Sequence, residues 1–282
     1  GKQRQLLVHW NDTVKSQSDS ADLLNAENWT TQRFEQLDGI MWMYALPLGK
    51  IGSRTAIIVG AKGSDASITL LLSPKSNLRE LSDWQQIQLR DAGWIMSLRA
   101  IDMDEDGDKD IVFSDRKGNL RRAGWLEQPD GDPAGEWTEH MIAGRGKEVM
   151  FLSATARRCL IATRENAFLD CKKSPNGWVA TAIPNPKRVV NGKAIESFPD
   201  GKIVLTSNTH SSPDPDLPGI WLRSPAGNWS VIDPTNAVKF DRMELVDLDG
   251  DGDLDVMTCE ERRNLGVIWY ENPRIKSRRV DG

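Results

Sequence analysis

Two nine-residue stretches of the chain carry an aspartate at every odd position. They are DMDEDGDKD at 102–110 and DLDGDGDLD at 247–255, and both have glycine at the sixth position. Oxygen ligands at alternate positions around a glycine turn suit a hard cation such as calcium, which takes six to eight oxygens at about 2.3 to 2.6 Å. Five carboxylates in so short a loop repel one another, and a bound cation relieves that repulsion. The spacing therefore predicts two calcium sites.

The EF-hand is the obvious rival for these loops, because it shares the D-x-D-x-D-G opening. An EF-hand closes with glutamate at position twelve and lies between two helices, whereas position twelve here is Phe113 or Thr258. The residues that flank both loops have the pattern of short strands. We therefore expect strand-to-strand turns in which the ninth aspartate replaces the missing glutamate. The alternative is that the acids only solvate a turn.

Composition excludes several classes of protein. The net charge of −5 argues against nucleic-acid binding, which favours a basic face. No apolar run approaches the length of a membrane span, and no signal-like leader stands at the first residue, so we expect a soluble chain from which any signal peptide has been removed. Three cysteines, Cys159, Cys171 and Cys259, exclude a dense disulfide scaffold. Cys159 and Cys171 could face each other in a hairpin, and unpaired core thiols are the expected state.

Five tryptophans recur at intervals of roughly fifty residues, a spacing typical of propellers and solenoids. Each opens a segment of alternating polar and apolar residues, as on an outer strand with one wet face. A more apolar strand follows, then a second strand and a third. Four antiparallel strands repeated radially make a β-propeller, which is the all-β fold that we predict. The tryptophans are Trp29, Trp84, Trp137, Trp178 and Trp229.

The repeat predicts a single propeller domain over 1–282 that contains about five and a half blades. Complete blades are expected at 40–93, 94–146, 147–188 and 189–238. A partial blade at 1–39 precedes them, and a three-stranded blade at 239–273 and a tail at 274–282 follow. The incomplete ends predict that the chain is part of a larger ring, with about one and a half blades missing upstream.

The aspartate-rich loops and their flanking strands closely resemble the FG-GAP/VCBS repeats of bacterial secreted propellers, a family related to the calcium-binding blades of integrin α-subunits. The resemblance implies two structural calcium sites, a secreted or periplasmic location and a parent ring of seven blades. The corresponding turns at 47–51, 151–157 and 197–201 lack the acids and should be metal-free. By resemblance, the ligands are the side chains of Asp102, Asp104, Asp106 and Asp110 with the carbonyl of Asp108, and those of Asp247, Asp249, Asp251 and Asp255 with the carbonyl of Asp253.

The acidic loops join first to second strands, so the opposite end of the ring is formed by the second-to-third loops and the turns between blades. Loops on a rigid scaffold commonly carry function. Charges of both signs and a tryptophan there suit a polar ligand such as a sugar or uronate, although turns are also charged simply because they are wet. The same loops contain Lys62, Arg90, Arg164 and Lys239. The candidate ligand-binding residues are Asp91, Trp94, Asp115, Arg116, Lys147, Glu148, Lys193, His210, Asp241, Arg242, Glu260 and Glu261.

These features favour a ligand-binding or interaction module whose partner is a polar small molecule, a glycan or a protein. A catalytic function is the alternative. The protein would then be a carbohydrate-active lyase or dehydratase that uses the charged funnel formed by these loops around the central channel, with His210 and carboxylates as acid and base. His9 and His140 fall on predicted strands instead. The chain has no G-x-S-x-G motif, no phosphate-binding glycine loop and no zinc spacing, so catalytic residues are not assigned.

Overall fold

The computed structural model describes residues 4–11, 21–186, 189–211 and 214–272, and the predicted tail at 274–282 lies outside them. The chain is an all-β propeller built from antiparallel sheets whose strands follow one another in chain order. Within the described residues, four sheets have four strands, one has three and one has two. The parent ring of seven blades stays a prediction.

Besides the short strands of the sheets, the described ranges contain one helix, α1 (Ala21–Leu24), and three 3₁₀ turns at Ala26–Asn28, Glu35–Leu37 and Leu81–Asp83. No helix among these residues is long and apolar enough to cross a membrane. By sheet, the strands are β1 (Leu7–Asn11) and β2 (Trp29–Arg33); β3 (Met41–Ile51), β4 (Arg54–Lys62), β5 (Ser67–Leu72) and β6 (Gln85–Asp91); β7 (Ile95–Ile101), β8 (Asp110–Asp115), β9 (Arg122–Glu127) and β10 (Thr138–Ala143); β11 (Val149–Ala154), β12 (Arg158–Thr163), β13 (Ala167–Ser174) and β14 (Gly177–Pro184); β15 (Gly192–Ser197), β16 (Ile203–Ser207), β17 (Ile220–Arg223) and β18 (Trp229–Asp233); β19 (Phe240–Val246), β20 (Asp255–Glu260) and β21 (Gly266–Tyr270).

The repeated tryptophans pack between neighbouring blades. Trp84 joins the core between the β1–β2 and β3–β6 sheets, and Trp137 joins the core between the β3–β6 and β7–β10 sheets. Trp178 and Trp229 pack against the next two blade-to-blade cores in the same way. Each of these four therefore anchors its fourth strand to the preceding blade, whereas Trp29 is exposed and donates its indole N–H to the carbonyl of Leu23 at 3.1 Å.

Other local predictions are also confirmed by the strand pairing. Cys159 and Cys171 lie directly opposite each other on β12 and β13, and both are buried free thiols. His9 lies on β1 and His140 on β10, where His140 stacks on Trp125 and hydrogen-bonds Glu127 at 2.5 Å. The acidic loops join β7 to β8 and β19 to β20, so strands flank them on both sides, as predicted, rather than the helices of an EF-hand.

A β-bulge shifts the register of every inner strand shortly after it begins. The shifts lie between Trp42 and Tyr44 in β3 and between Ile95 and Ser97 in β7. Equivalent shifts occur in β11, β15 and β19, at 149–152, 192–195 and 240–243. A bulge places extra residues opposite the partner strand and re-aims their side chains. All five inner strands are therefore distorted at the same end of the propeller.

A buried arginine joins the β3–β6 blade to its neighbour. The guanidinium of Arg90 donates to Asp115 at 2.8 Å, to Glu139 at 3.0 Å and to the carbonyl of Leu120 at 2.7 Å. It also lies 4.5 Å from the ring centroid of Phe113. The side chain of Arg90 is 3% exposed and that of Asp115 is 0% exposed, so each charge depends on the other.

Replacing Arg90 by methionine should lower the free energy of unfolding by about 3 to 5 kcal/mol, because it leaves a buried carboxylate without its counter-ion. The matched control is Arg157→Met, which removes an exposed pair with Glu105 and should cost less than about 1 kcal/mol. Denaturant unfolding of the two variants measures the difference. Equal and small losses would show that the buried pair contributes little.

Candidate functional site

The inner strands β3, β7, β11, β15 and β19 surround one channel, which has a cavity at each end. We call the cavity of about 500 Å³ at the beginning of these strands the upper cavity, and the one of about 460 Å³ toward the acidic loops the lower cavity. The upper cavity lies at the end of the ring where the sequence placed the funnel. Its lining comprises Met43, Lys62, Trp94, Met96, Arg116, Met150, Phe151, Arg164, Asn191, Lys193, Asn208, Ser211, Lys239, Asp241 and Glu261.

The rim of the upper cavity is built by one hydrogen bond repeated from blade to blade. The residue just after the second strand donates its amide to the carbonyl of the residue just before the inner strand. The rim side chains thus occupy equivalent positions, which is why the repeat register located them. The bonds are Arg116 to Trp94 at 2.9 Å, Arg164 to Glu148 at 3.1 Å, Asn208 to Asn191 at 3.0 Å and Glu261 to Lys239 at 3.0 Å.

The bulges supply the interior of the upper cavity. The residues inside the register shifts include Met43, Met96, Met150 and Phe151, and all four line the cavity. The sequence analysis missed them because apolar residues in a strand pattern indicate core. Lys193 and Asp241 lie in the equivalent bulges of β15 and β19, so the same distortion brings a charge pair to the channel.

Each of the five blades contributes a basic residue to the upper cavity. The two acids that line it are Asp241 and Glu261, so among the described residues the lining has more positive than negative charge. Convergent charges of one sign in a concave site raise the local concentration of oppositely charged ligands. The five cations, in blade order, are Lys62, Arg116, Arg164, Lys193 and Lys239.

Trp94 positions two of these cations. The Nζ atom of Lys62 lies 4.4 Å from the Trp94 ring centroid, and the guanidinium carbon of Arg116 lies 4.5 Å from it. Cations over an indole face are attracted by the ring quadrupole. Trp94, which the sequence analysis listed among the candidate ligand-binding residues, therefore supports two positive charges.

Glu148 balances the cations at one side of the rim. Its carboxylate accepts from Arg116 at 3.1 Å, from Arg164 at 3.3 Å and from Lys117. Burial alone would raise the pKa of Glu148, but the hydrogen bonds from Lys117 and Arg116 dominate and lower it to about 2. Glu148 therefore stays ionised and holds three basic side chains together.

A buried charge cluster occupies the opposite side. Lys193 is 7% exposed and pairs with Asp241 at 2.7 Å, and burial lowers the pKa of Lys193. Asp241 lies beside Glu261, while Lys239 pairs with Glu261. Burial, together with the Glu261 carboxylate, raises the pKa of Asp241 to about 6, whereas the hydrogen bond from Asp241 lowers that of Glu261. Two carboxyl groups of different pKa thus lie together beside a buried ammonium.

Five of the twelve candidate ligand-binding residues line the upper cavity, namely Trp94, Arg116, Lys193, Asp241 and Glu261. Asp115 and Glu260 are buried, and their carboxylates accept backbone amides, from Trp94 at 2.9 Å and Lys239 at 2.8 Å. These contacts place both inside the protein and give them a structural task in holding the starts of β7 and β19.

The other candidates lie around the upper cavity or below it. Asp91 is exposed and accepts from Gln88 at 2.6 Å, and Lys147 pairs with Glu165 at 2.6 Å. His210 is exposed, and its backbone amide donates to Val238 at 3.0 Å. Arg242 lines the lower cavity, although its neighbour Asp241 lines the upper one. None of these four belongs to the lining of the upper cavity.

The lower cavity is crossed by ion pairs. Arg99 on β7 donates to Glu196 on β15 at 3.0 Å and to Glu244 on β19 at 3.2 Å. Arg242 pairs with Glu244 and lies 5.2 Å from the ring centroid of Tyr44 on β3. Burial raises the pKa of Glu196 to about 7, against the opposing effect of Arg99. Two arginines and two glutamates therefore balance each other in this part of the channel.

The acidic loops have a shared geometry in which three carboxylates converge. Oxygens of Asp102, Asp104 and Asp106 lie within 4.8 Å of one another, as do those of Asp247, Asp249 and Asp251. In both loops the first aspartate accepts the amides of the fourth and sixth residues, at 2.6 and 3.1 Å in the first copy and 2.8 and 3.0 Å in the second. An all-oxygen donor set of this kind fits a hard cation.

The ninth aspartates close the loops from inside. Asp110 accepts the amides of Met103 at 2.7 Å and Gln128 at 3.0 Å, and Asp255 accepts those of Leu248 at 3.1 Å and Asn272 at 2.9 Å. Both carboxylates are buried. Burial raises the pKa of Asp110 to about 6; for Asp255 burial acts in the same direction, but the two amides dominate and lower its pKa.

The seventh aspartate of each loop, Asp108 or Asp253, lies two positions before the buried ninth aspartate. Asp108 accepts from the Gln128 side chain at 2.9 Å through one oxygen, while its other oxygen is buried with no hydrogen-bond partner among the described residues. Asp253 donates its amide to Asp251 at 3.0 Å. A buried carboxylate oxygen without a donor is costly unless a cation is near, so the first loop fits a bound metal.

A scan against protein-family models found no match, and a search of curated proteins returned no significant relative. The resemblance to FG-GAP/VCBS repeats therefore rests on the two loops and their flanking strands.

Replacing Glu148 by glutamine should lower the melting temperature at pH 7, because three cations then lose their counter-ion. Since the folded pKa of Glu148, about 2, lies below its ordinary value, the stability it contributes is present above pH 5 and disappears as the pH falls toward 2. The melting temperatures of wild type and Glu148→Gln should therefore converge on acidification. The control Glu165→Gln alters a more exposed pair with Lys147 and should have little effect. A constant gap down to pH 3 would contradict this assignment.

Proposed function

We propose that the protein is a ligand-binding module whose upper cavity binds an anionic polar ligand, with acidic carbohydrate as the favoured class. The observation that carries the proposal is the convergence of one cation from each of five blades on a single cavity. The five cations outnumber the three carboxylates that pair with them, Glu148, Asp241 and Glu261, and an anionic ligand would relieve the repulsion that remains.

The chemistry of the lining supports a carboxylated sugar over other anions. The cations stand beside amide and hydroxyl groups of Asn191, Asn208 and Ser211, which can bond sugar hydroxyls. Phe151 and the methionines supply apolar surface for the carbon face of a sugar ring. The overall charge of −5 disfavours a nucleic-acid backbone, which would be repelled outside the cavity.

A specific arrangement also favours a second candidate, a lyase acting on uronate chains. Burial and the Glu261 carboxylate raise the pKa of Asp241 to about 6 while that of Glu261 is lowered, so near pH 6 a carboxylic acid and a carboxylate lie side by side next to Lys193. In β-elimination a base removes the proton next to the sugar carboxylate, a carbon–carbon double bond forms, the glycosidic carbon–oxygen bond breaks, and the acid protonates the leaving oxygen. His210, which the sequence analysis considered for this task, lies outside the upper cavity.

Digalacturonate should bind saturably in calorimetry, while uncharged galactobiose should bind at least about tenfold more weakly, a difference of about 1.4 kcal/mol. Lys193→Met should weaken binding by a similar factor, and the control Lys202→Met, which changes a cation outside the upper cavity, should not. Because protonation of Asp241 removes a negative charge from the cavity, affinity should rise as the pH falls from 7 to 5. Asp241→Asn should bind tightly throughout that range.

Equal affinity for the charged and uncharged disaccharides would overturn the proposal. Release of unsaturated product in the same samples, abolished by Asp241→Asn, would establish the lyase, whereas binding without turnover establishes the module.

We further propose that the two acidic loops bind structural calcium and that the protein works outside the cytoplasm, where free calcium is plentiful. The three convergent carboxylates of each loop, the carboxylate oxygen of Asp108 without a donor and the all-oxygen chemistry support this assignment. Bound calcium would neutralise the loops and hold β7 to β8 and β19 to β20. Because the acidic loops lie at the opposite end of the propeller from the upper cavity, we expect the bound calcium to make no contact with the ligand.

Calcium should raise the melting temperature and EDTA should lower it, with each site contributing about 2.7 kcal/mol when free calcium is 100 times its Kd. Magnesium should substitute poorly, since it prefers a smaller octahedral shell with several waters. The double variant Asp106→Asn/Asp251→Asn keeps the side-chain oxygens that accept the amides of Asp108 and Asp253 but removes two charges. It should lose the calcium effect and, in EDTA, be at least as stable as wild type. A wild-type melting temperature that is the same with calcium and with EDTA would refute the assignment.

A further inference from the structure

A second cavity of about 450 Å³ adjoins the upper cavity on the same end of the propeller. The two share Lys62 and Trp94 in their linings, so one pair of side chains forms the wall between them. We call this second space the side cavity. It lies where the loops of the β3–β6 and β7–β10 blades meet.

Positive charge continues from the upper cavity into the side cavity. Arg4 and Lys117 line it together with Lys62, and the acid in its lining is Asp65. Asp65 accepts from the hydroxyl of Ser64 at 2.9 Å, and Lys117 is held beside the rim by Glu148. Cations on both sides of Trp94 thus form a continuous path across two blades.

Glycines line the side cavity where side chains would otherwise fill it. A Cβ atom on Gly39 or Gly63 would meet nothing within 4 Å, so the space beside these residues is open. At Gly93 a Cβ atom would come within 2.2 Å of the Lys117 carbonyl oxygen, so only glycine allows the two loops to approach so closely. The result is a groove with bare backbone and charged walls, a shape suited to an extended chain.

We infer that the side cavity is a second subsite and that the ligand is an acidic oligosaccharide of several residues, lying across Lys62 and Trp94 from the upper cavity into the side cavity. The inference rests on the proposed function and goes beyond it by giving the length and path of the ligand. Repeated carboxylates along one chain match cations that are spread over two adjoining cavities better than a single charged sugar does.

Calorimetry with digalacturonate and hexagalacturonate tests the inference. The hexamer should bind about tenfold more tightly than the dimer, through the linkage of two sites on one chain. The variant Arg4→Gln should remove part of that advantage and leave dimer affinity unchanged. Ser64→Trp, which obstructs the side cavity and leaves the cations in place, should do the same. The control Lys202→Gln should bind both ligands as wild type does.

The two variants are needed because a hexamer can bind a single site in more alternative registers than a dimer, which by itself raises its apparent affinity. A hexamer advantage that survives both Arg4→Gln and Ser64→Trp would overturn the second subsite, as would equal wild-type affinities for the two lengths. Failure of the dimer to respond to Lys193→Met would instead contradict the proposed function of the upper cavity. Equal affinity for a single-stranded oligonucleotide of matched charge would overturn the assignment to acidic saccharides.

Discussion

The five inner strands each lose their regular hydrogen-bonded register within a few residues of their start, and this distortion forms the upper cavity. A regular strand alternates its side chains strictly between the two faces of its sheet. The register shifts at 95–97 and 240–243 interrupt this alternation and bring residues such as Met96 and Asp241 to the channel. Since the shift recurs in all five inner strands, the cavity is a property of the repeat and not of one unusual loop.

Buried carboxylates fix the ends of the second strand in the two blades that carry acidic loops. β8 begins with Asp110 and ends with Asp115, and β20 begins with Asp255 and ends with Glu260. The first acid of each strand accepts amides from the acidic loop, and the last accepts amides from the start of the inner strand. A buried charge of this kind is tolerated only when donors surround it. The same short strand therefore links the geometry of the acidic loop to that of the cavity rim.

The strands and the end of the propeller that carries the candidate site depend on the repeat, and the sequence predicted them. The direction of individual side chains depends on one extra residue in a strand, and the sequence did not predict it. Spaced tryptophans and alternating segments located the strands, because burial between blades imposes that pattern. The funnel end followed from the same register. Asp241 and Arg242 were assigned to one site, yet they line opposite cavities, since a bulge has no signature in residue type. By its residue type and its place after a strand, Asp115 is indistinguishable from an exposed turn residue. Only its hydrogen bond to the buried Arg90, twenty-five positions away, shows that it is structural.

The two ends of the channel differ in how their charges are satisfied, and this difference identifies the ligand-binding end. In the lower cavity Arg99 and Arg242 meet Glu196 and Glu244, so each guanidinium already has a carboxylate and a ligand would have to displace an existing pair. Breaking such pairs in a partly desolvated site costs more free energy than breaking exposed pairs on the surface. In the upper cavity five cations face the two acids of the lining and Glu148 at the rim, so positive charge exceeds negative charge there. An anion entering from that end meets an excess of positive charge, which is the electrostatic reason for placing recognition above the bulges and closure of the channel below them.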